Sequence, residues 1–265
     1  MMEKEALKMK VMSFNVRADS ILDVRNRWRH RSEIVYEVIK KYDCDVVGLQ
    51  EVTDRMYMDL NKAIDGYYMI GKGRTKRYFN ERNNLLVKED YNLLEEETFW
   101  LSKTPSKTGS SVWYSMFPRI CTTAVIQLAN NLKIRIYNTH LDCLLPSARE
   151  YGLKKIGEYV GECYQKEKLP CILMGDFNAG PQSKLIQQFS QGSYSDKRFI
   201  AVQDVKKEIY NEATMGHFKG KTRGLHIDYI FVSEEFEIKD VEIIKYQKNN
   251  KYPSDHYPIL AEINL

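Results

Sequence analysis

The sequence contains few cysteines, and they are not arranged as a motif. Its five cysteines, an odd number, stand at positions 44, 121, 143, 163 and 171 and include no CxxC pair. Cys44 and Cys171 border apolar runs that resemble strands, which suits small buried thiols in a reducing compartment. We therefore expect a cytoplasmic protein.

Long apolar runs and flexible linkers are also missing. Residues 1–10 mix Glu, Lys and Met without an apolar core of signal-peptide length, and no later stretch reaches the ~18 apolar residues of a membrane helix. A membrane span is therefore excluded. No Pro-, Gly- and Ser-rich linker divides the 265 residues, of which 43% are hydrophobic, so one domain over residues 1–265 is expected.

The chain has no large excess of either charge. It holds 40 basic and 36 acidic residues, a formal net charge of +4, and these totals show no strongly basic nucleic-acid footprint. The densest positive segments are residues 25–31 and 72–77. Either segment could steer a phosphorylated substrate, and either could equally be a solvated face. Nothing in the sequence indicates a protein partner.

Short apolar runs alternate with helical patterns, which indicates an α/β or α+β architecture. Helices are expected over residues 32–41, 54–64 and 146–168, with another beginning at Pro181. Several strand patterns adjoin without room for a helix, so antiparallel hairpins must be present, one of them turning at the asparagines of residues 130–131. Residues 102–111 are expected to form a long loop. The predicted strands cover residues 10–15, 45–50, 84–87, 91–101, 120–128, 132–139, 170–174, 226–232, 241–246 and 259–265.

The tetrapeptide Gly175-Asp176-Phe177-Asn178 follows the apolar run of residues 171–174. Asp176 and Asn178 stand two positions apart at the end of a predicted buried strand, so both can project into one site. The same spacing is ordinary turn chemistry, because both side chains can bond their own backbone. The tetrapeptide alone leaves both interpretations open.

Two further polar residues end the first two predicted strands. Asn15 follows Met12-Ser13-Phe14, and Glu51 follows Val46-Val47-Gly48-Leu49-Gln50. Mg²⁺ prefers oxygen ligands and often uses only one or two carboxylates, with water and substrate phosphate completing its shell. Asn15 and Glu51 could supply such a partial shell, although a helix cap and a solvated helix-start residue are the alternatives.

Histidines and acids stand at three later strand boundaries. His140 closes one predicted strand, and beside a phosphate it could stabilise developing charge or protonate a leaving oxygen. Asp228 directly precedes apolar strand residues, and a buried acid there needs a partner. Asp255 and His256 precede the last strand and could supply a metal-directed carboxylate and a proton-transfer group.

Six segments therefore carry the candidate chemistry, in this order: Phe14-Asn15, Gln50-Glu51, Thr139-His140-Leu141, Gly175-Asp176-Phe177-Asn178, Ile227-Asp228-Tyr229-Ile230 and Ser254-Asp255-His256. In this order they resemble the signature segments of the endonuclease/exonuclease/phosphatase superfamily, over nearly the whole chain. The resemblance implies an α/β (α+β), DNase I-like four-layer sandwich, with two packed mixed β-sheets flanked by helices. The strand ends of such a fold converge on one cleft.

The resemblance also implies a divalent metal site. Asn15 and Glu51 look like metal-site residues, and Asp255 is a further ligand candidate. The cofactor implied is Mg²⁺, with Mn²⁺ as the alternative. The reaction implied is hydrolysis of a phosphoester bond by in-line attack of an activated water.

The remaining matched residues resemble the catalytic groups of the superfamily. Asp176 looks like the residue that orients or deprotonates the attacking water, and Asn178 looks like a catalytic phosphate contact. His140 resembles the group that stabilises the transition state beside the scissile phosphate. Asp228 and His256 look like an orienting acid with its histidine.

The chain departs from the superfamily pattern at Arg17, where DNA-repair members commonly carry an acid. This exchange puts a repair endonuclease in doubt and favours an added phosphate contact. Arg119 is a second candidate for substrate binding. The segment Thr98-Phe99-Trp100-Leu101-Ser102-Lys103-Thr104-Pro105, with Phe117-Pro118-Arg119-Ile120 after it, resembles a poorly characterised bacterial branch of the superfamily.

Three functions remain open on the sequence. The first is a metal-dependent hydrolase of a phosphorylated small molecule or head group, which the modest net charge favours. The second is a nuclease, with a nucleic acid as partner. The third is a non-catalytic binding module, which the intact acids and histidines of the six segments disfavour. Stacking platforms for the bases of a nucleic acid could come from Trp28, Trp100, Trp113, Tyr114 and Phe117.

Overall fold

A computed structural model describes residues 7–76, 80–195 and 197–265. Arg77 of the second basic segment and residues 1–6 of the N-terminus lie outside the described residues. The described chain contains twelve β-strands and four α-helices. The helices are α1 (Ser32–Tyr42), α2 (Asp54–Ala63), α3 (Pro146–Lys166) and α4 (Lys184–Ser190). The strands are β1 (Lys8–Asn15), β2 (Val46–Thr53), β3 (Tyr67–Ile70), β4 (Glu81–Lys88), β5 (Asn92–Trp100), β6 (Ile120–Gln127), β7 (Lys133–His140), β8 (Cys171–Asp176), β9 (Phe199–Ala201), β10 (Asp228–Ser233), β11 (Glu237–Ile243) and β12 (Ile259–Asn264).

The strands form two mixed six-stranded sheets. One has the order β11-β12-β1-β2-β4-β3 and the other β5-β6-β7-β8-β10-β9. Each sheet contains one parallel pair, β1 with β2 and β7 with β8, and its other pairs are antiparallel. Because parallel strands end at the same edge, each pair brings its two carboxyl ends together.

The sheets pack face to face, and helices cover their outer faces. Met9, Val11 and Val46 of the first sheet share one buried cluster with Ile136 and Ile172 of the second. A second cluster packs α1 and α2 against the outer face of the first sheet, and a third packs α3 and α4 against the second. The predicted four-layer sandwich is therefore confirmed.

A polar contact crosses the apolar interface between the sheets near the carboxyl ends of the parallel pairs. The buried amide of Asn138 on β7 donates to the carbonyl oxygens of Leu49 (2.9 Å) and Asn84 (2.7 Å). Its Oδ1 accepts a 2.7 Å hydrogen bond from Gln50 Nε2. Buried amides with satisfied hydrogen bonds restrict how two sheets can slide past each other, so this contact holds the two strand-end edges in register.

Most elements predicted from the sequence are present. The two short strands β3 and β9 were not predicted, because four- and three-residue strands carry little periodicity. The helix expected to begin at Pro181 begins instead at Lys184, where the Ser183 hydroxyl accepts the Ile186 amide hydrogen. At the β6–β7 turn, Asn131 takes the expected left-handed conformation, with φ of 62°, and residues 102–111 form the expected loop.

No helix among the described residues is long and apolar enough to cross a membrane. Cys44 and Cys171 are buried as expected, and all five cysteines are free thiols.

Candidate active site

Three predicted site residues are direct neighbours on the second sheet. His140 ends β7, Asp176 ends β8 and Asp228 begins β10. The strand register pairs His140 with Asp176 and Asp176 with Asp228. All three are almost fully buried, at 7%, 1% and 1% exposure. Asp176 therefore lies between a histidine and a second carboxylate.

A β-bulge shapes the matching edge of the first sheet. The β2–β4 register shifts between Leu49 and Val52, and Glu51 inside this irregularity has a φ of 63°. Bulges beside active sites redirect single side chains, and a non-glycine residue at positive φ costs conformational energy that the surrounding structure must offset. The bulge therefore turns Glu51 toward the end of β1, where Asn15 lies.

The Asn15 side chain joins the two sheets at this edge. Its Nδ2 donates to Glu51 Oε1 and to Asp176 Oδ2, both at 3.0 Å. Its Oδ1 accepts the Arg17 amide hydrogen at 2.9 Å, and Glu51 Oε2 accepts that of Ala18, also at 2.9 Å. One amide thus orients the carboxylates of both sheets.

The segment before β12 completes the cluster. Ser254 Oγ donates to the Asn15 carbonyl oxygen at 2.6 Å, which ties this segment to the end of β1. The buried His256 ring then lies with Nδ1 2.9 Å from Asp228 Oδ2 and Nε2 3.9 Å from Asp176 Oδ2. On the other side, His140 Nε2 lies 3.6 Å from the same Asp176 oxygen.

The two histidines have opposite electrostatic environments. Burial and the nearby Arg119 cation lower the pKa of His140 to about 4, so its ring is neutral at pH 7. Burial opposes the charge of His256, but the Asp228 carboxylate outweighs it and raises the pKa of His256 well above its usual value. His256 is therefore an imidazolium that donates from Nδ1 to Asp228.

The carboxyl groups of Asp176 and Glu51 also differ in the direction of their pKa shifts. Burial and the Asp228 charge raise the pKa of Asp176, which makes it a stronger base than an ordinary aspartate. Burial disfavours the charge of Glu51. The His140 ring, which is protonated at the low pH where Glu51 titrates, and the Ala18 and Asn15 amides outweigh burial and lower the pKa of Glu51 to about 2. Two acids of one cluster thus have pKa values moved in opposite directions, a pattern that recurs at catalytic sites.

The donor set of this cluster fits a hard divalent cation. Each Glu51 oxygen accepts one hydrogen bond and keeps a lone pair, and the buried Asp228 Oδ1 has no hydrogen-bond partner. Oxygen-rich sites with surplus negative charge are those that Mg²⁺ occupies. Asp176, Asp228 and His256 also offer ligand atoms within 4.8 Å of one another. A protonated His256 cannot ligate a cation through Nε2, so Glu51 with Asn15 and Asp255 is the ligand set that we favour.

The predicted substrate contacts lie around this cluster. Arg17, at φ 56°, donates two hydrogen bonds to Asp23 (3.0 and 3.1 Å), and its Nε lies 3.8 Å from Asp255 Oδ2. Asn178 donates its backbone hydrogen to Asp176 Oδ1 at 2.9 Å and its side-chain Nδ2 to the Leu141 carbonyl at 3.1 Å. One Nδ2 hydrogen of Asn178 therefore remains for a ligand.

Arg119 is buried beside His140. It lines a small recess with His140, Arg74 and Glu81. Its Nε lies 3.7 Å from Asp142 Oδ2 without forming a hydrogen bond. Arg119 is thus placed beside the cluster, on the His140 side.

Two of the five candidates for base stacking, and one residue of the basic segment 25–31, are buried in the protein and do not lie on its surface. Trp28 and Trp100 are 1% and 3% exposed and belong to the core, whereas Trp113 is 93% exposed. Arg31, one of the clustered basic residues, is also buried. No local pattern in the sequence distinguishes Arg31 from its exposed basic neighbours, so its burial was not predicted.

Comparisons with known proteins agree with the fold. The profile of the Endonuclease/Exonuclease/phosphatase family matches residues 12–256. A solved structure from Bacteroides vulgatus, an endonuclease/exonuclease/phosphatase, has a TM-score of 0.86 and 27% identity, covering 98% of this chain and 99% of that one. A mannosyl-6-phosphatase from Bacteroides thetaiotaomicron has a TM-score of 0.86 and 24% identity, with coverages of 96% and 99%.

A curated relative carries the name of a different activity. The probable RNA exonuclease NGL3 of Saccharomyces cerevisiae is 24% identical over 201 residues, which are 68% of this chain. The match covers only 39% of the yeast protein's length. With the profile match spanning nearly the whole chain, the protein described here belongs to the endonuclease/exonuclease/phosphatase family of hydrolases.

Proposed function

We propose that this chain hydrolyses phosphoester bonds in a divalent-metal-dependent reaction, by in-line attack of an activated water. The proposed substrate is a phosphorylated small molecule or head group. The observation that carries the proposal is the position of Asp176, whose buried Oδ2 faces the Nε2 atoms of His140 and His256 at 3.6 and 3.9 Å. A base of raised pKa between two proton donors suits the transfer of a phosphoryl group to water.

Asp176 is proposed to orient the attacking water and accept its proton. The Asn178 amide hydrogen holds Oδ1 and Asn15 Nδ2 donates to Oδ2. Oδ2, which also faces the two histidines, is the oxygen proposed to act as base through its second lone pair. As the water oxygen bonds to phosphorus, the bond from phosphorus to the leaving oxygen breaks, and the water proton passes to Asp176.

His256, His140 and Asn178 are proposed to stabilise the charge that develops on the phosphoryl oxygens. Asp228 holds the His256 imidazolium by Nδ1, which leaves the Nε2 hydrogen for a substrate oxygen. The neutral His140 ring can donate one hydrogen. Hydrogen-bond donors that are already held in place do not have to reorient when charge develops in the transition state. Such preorganisation accounts for a large part of enzymatic rate enhancement.

Glu51, Asn15 and Asp255 are proposed to hold the metal, with Mg²⁺ expected and Mn²⁺ as the alternative. When bound, the ion would polarise a non-bridging phosphate oxygen and stabilise the leaving oxygen. Arg17 and Arg119 are proposed to contact the substrate from opposite sides of the cluster. Because Arg17 is already paired with Asp23, a phosphate must share or replace that contact.

The small-molecule assignment rests on charge and on one relative. A net charge of +4 is modest for a nucleic-acid enzyme, and the Bacteroides mannosyl-6-phosphatase shares the fold. Trp113 favours the nuclease as second candidate. It is 93% exposed, and its loop contacts the site edge through Ser115 Oγ, 2.7 Å from Asp142 Oδ2.

A substrate panel tests the proposal. Phosphomonoesters, phosphodiesters and oligonucleotides are assayed with Mg²⁺, with Mn²⁺ and with EDTA. We expect turnover of a small phosphoester with either metal, none with EDTA, and a loss of about 100- to 10,000-fold in Asp176→Ala. Asp90→Ala, an exposed acid in the turn after β4, is the matched control and should retain full activity.

Each outcome of the panel has a separate meaning. Turnover in EDTA would contradict metal dependence, and full activity of Asp176→Ala would contradict the assignment of the base. Turnover of oligonucleotides alone would select the nuclease. Absence of turnover on the whole panel would favour a binding module.

A further inference from the structure

Arg31 is a fully buried arginine whose charged group contacts backbone rather than acids. Its side chain is 1% exposed, and the guanidinium carbon lies over the rings of Trp28 (5.3 Å) and Phe218 (5.8 Å). None of the ion pairs found among the described residues includes Arg31. Burying a guanidinium without an acid is unfavourable unless its hydrogen bonds are satisfied, so its contacts need an explanation.

Those contacts are four backbone carbonyl oxygens from three separate segments. Nε donates to the Asn26 carbonyl at 2.8 Å, and Nη1 donates to the carbonyls of Pro253 (2.9 Å) and Val16. Nη2 donates to the carbonyl of Arg17. One planar group therefore joins the chain directly after Asn15 to the chain before Ser254.

These two segments carry proposed site residues from opposite ends of the sequence. Asn15 precedes Val16 by one position, and Asp255 follows Pro253 by two. Among the described residues, two further side-chain contacts join the segments: the hydrogen bond from Ser254 Oγ to the Asn15 carbonyl and the 3.8 Å ion pair of Arg17 Nε with Asp255 Oδ2. A displacement at the Arg31 carbonyls would therefore move Asn15, Asp255 and the neighbouring His256 relative to one another.

We propose that Arg31 is a positioning residue that holds the segment after Asn15 and the segment before Asp255 in the geometry required for metal binding and catalysis. It touches neither substrate nor metal, and it acts through the backbone that carries those residues. The inference rests on the proposed function for its catalytic part. Only arginine fits the role, because its five N–H groups spread over three nitrogens, whereas lysine offers three on one atom.

The test compares Arg31→Lys, which keeps the charge, with Arg31→Gln, which keeps a donor. Arg29→Gln is the matched control, because Arg29 lies two positions earlier in the same basic segment and is exposed. Folding is checked by near-ultraviolet circular dichroism and thermal melting. Mn²⁺ affinity is measured by calorimetry on the full chain, and kcat and KM are measured on the best substrate of the panel.

We expect both Arg31 variants to fold, with Mn²⁺ affinity lowered about 10-fold. We also expect kcat to fall about 100-fold while KM changes less than about threefold. Arg29→Gln should match the unmodified protein. A wild-type chain that turns over nothing would defeat the proposed function, but the Mn²⁺ affinities would still test the role of Arg31.

Three results would overturn the inference. If Arg31→Lys had the same kcat and Mn²⁺ affinity as the wild-type protein, a positive charge at this position would be sufficient for catalysis and metal binding. A rise in KM with unchanged kcat would indicate substrate binding instead of positioning. Unfolding of both variants would assign Arg31 to the fold alone.

Discussion

Gly175→Ala should disrupt the site through the backbone, without removing any functional side chain. Gly175 has a φ of 148°, in a region that residues with a Cβ rarely adopt. A Cβ at this position would lie 1.9 Å from the Thr139 carbonyl oxygen on the neighbouring strand β7. Thr139 and Gly175 are paired in the β7–β8 register, so the contact is with backbone that cannot rotate away.

The expected loss of stability has two sources, the steric clash of the new Cβ and the strained backbone conformation. Steric overpacking costs about 1–3 kcal/mol, and a strained backbone conformation adds about 1–3 kcal/mol. At about 2–4 °C per kcal/mol for a chain of this size, the melting temperature should fall by about 4–24 °C. Since the strands must separate by about 1 Å beside Asp176, kcat should also fall about 100-fold.

Gly192→Ala is the control for this prediction. Gly192 also has a positive φ, of 80°, but a Cβ there would meet no atom within 4 Å. It therefore isolates the conformational cost of about 1–2 kcal/mol. The assays are thermal denaturation and steady-state kinetics on the same preparations. Equal losses of melting temperature in the two variants, with kcat retained in Gly175→Ala, would refute the steric reasoning.

Two other predictions concern pH and substrate. Burial lowers the pKa of His226, whose Nδ1 lies 3.0 Å from the Glu212 carbonyl oxygen and whose Nε2 lies 3.3 Å from the Gln203 amide nitrogen. The unfolded histidine gains its proton near pH ~6.5 and the folded one only at lower pH, so the free energy of unfolding should fall between pH 7 and 5 on account of this residue. Urea denaturation should show a flatter pH dependence in His226→Gln, and an unchanged slope would contradict this account. Trp113→Ala should lower the affinity for single-stranded oligonucleotides at low salt by about 1–3 kcal/mol per stacked base if the chain is a nuclease; an unchanged affinity would remove Trp113 as a platform.

Local patterns were sufficient for most of the fold. The strand before Gly175 and the helix over α3 follow from apolar runs and helical spacing that depend on a few neighbouring residues. Pro181 was misleading because a proline is compatible with a turn as well as with a first helical position, and the cap at Ser183 decided the boundary. The strands β3 and β9 were missed because their pairing, not their short sequences, makes them strands.

The candidate site could be predicted as a set of residues but not as an arrangement. Asn15, Glu51 and Asp176 each end or interrupt a strand, which is visible in the sequence. The distances between them depend on the packing of two sheets and on the bulge at Glu51. The burial of Trp28 and Trp100 was likewise decided by tertiary packing.

The sequence by itself determined the family and the residue types available for chemistry, because these depend on the order of short segments along the chain. Only the tertiary structure decided that Asp176 lies between a neutral and a protonated histidine, since burial and neighbouring charges set their pKa values. It also decided that Arg31 is an internal contact between distant segments and not part of a solvated face. Both results depend on which side chains are buried next to one another. Hydrogen bonds between residues more than 100 positions apart are part of the packing that buries them.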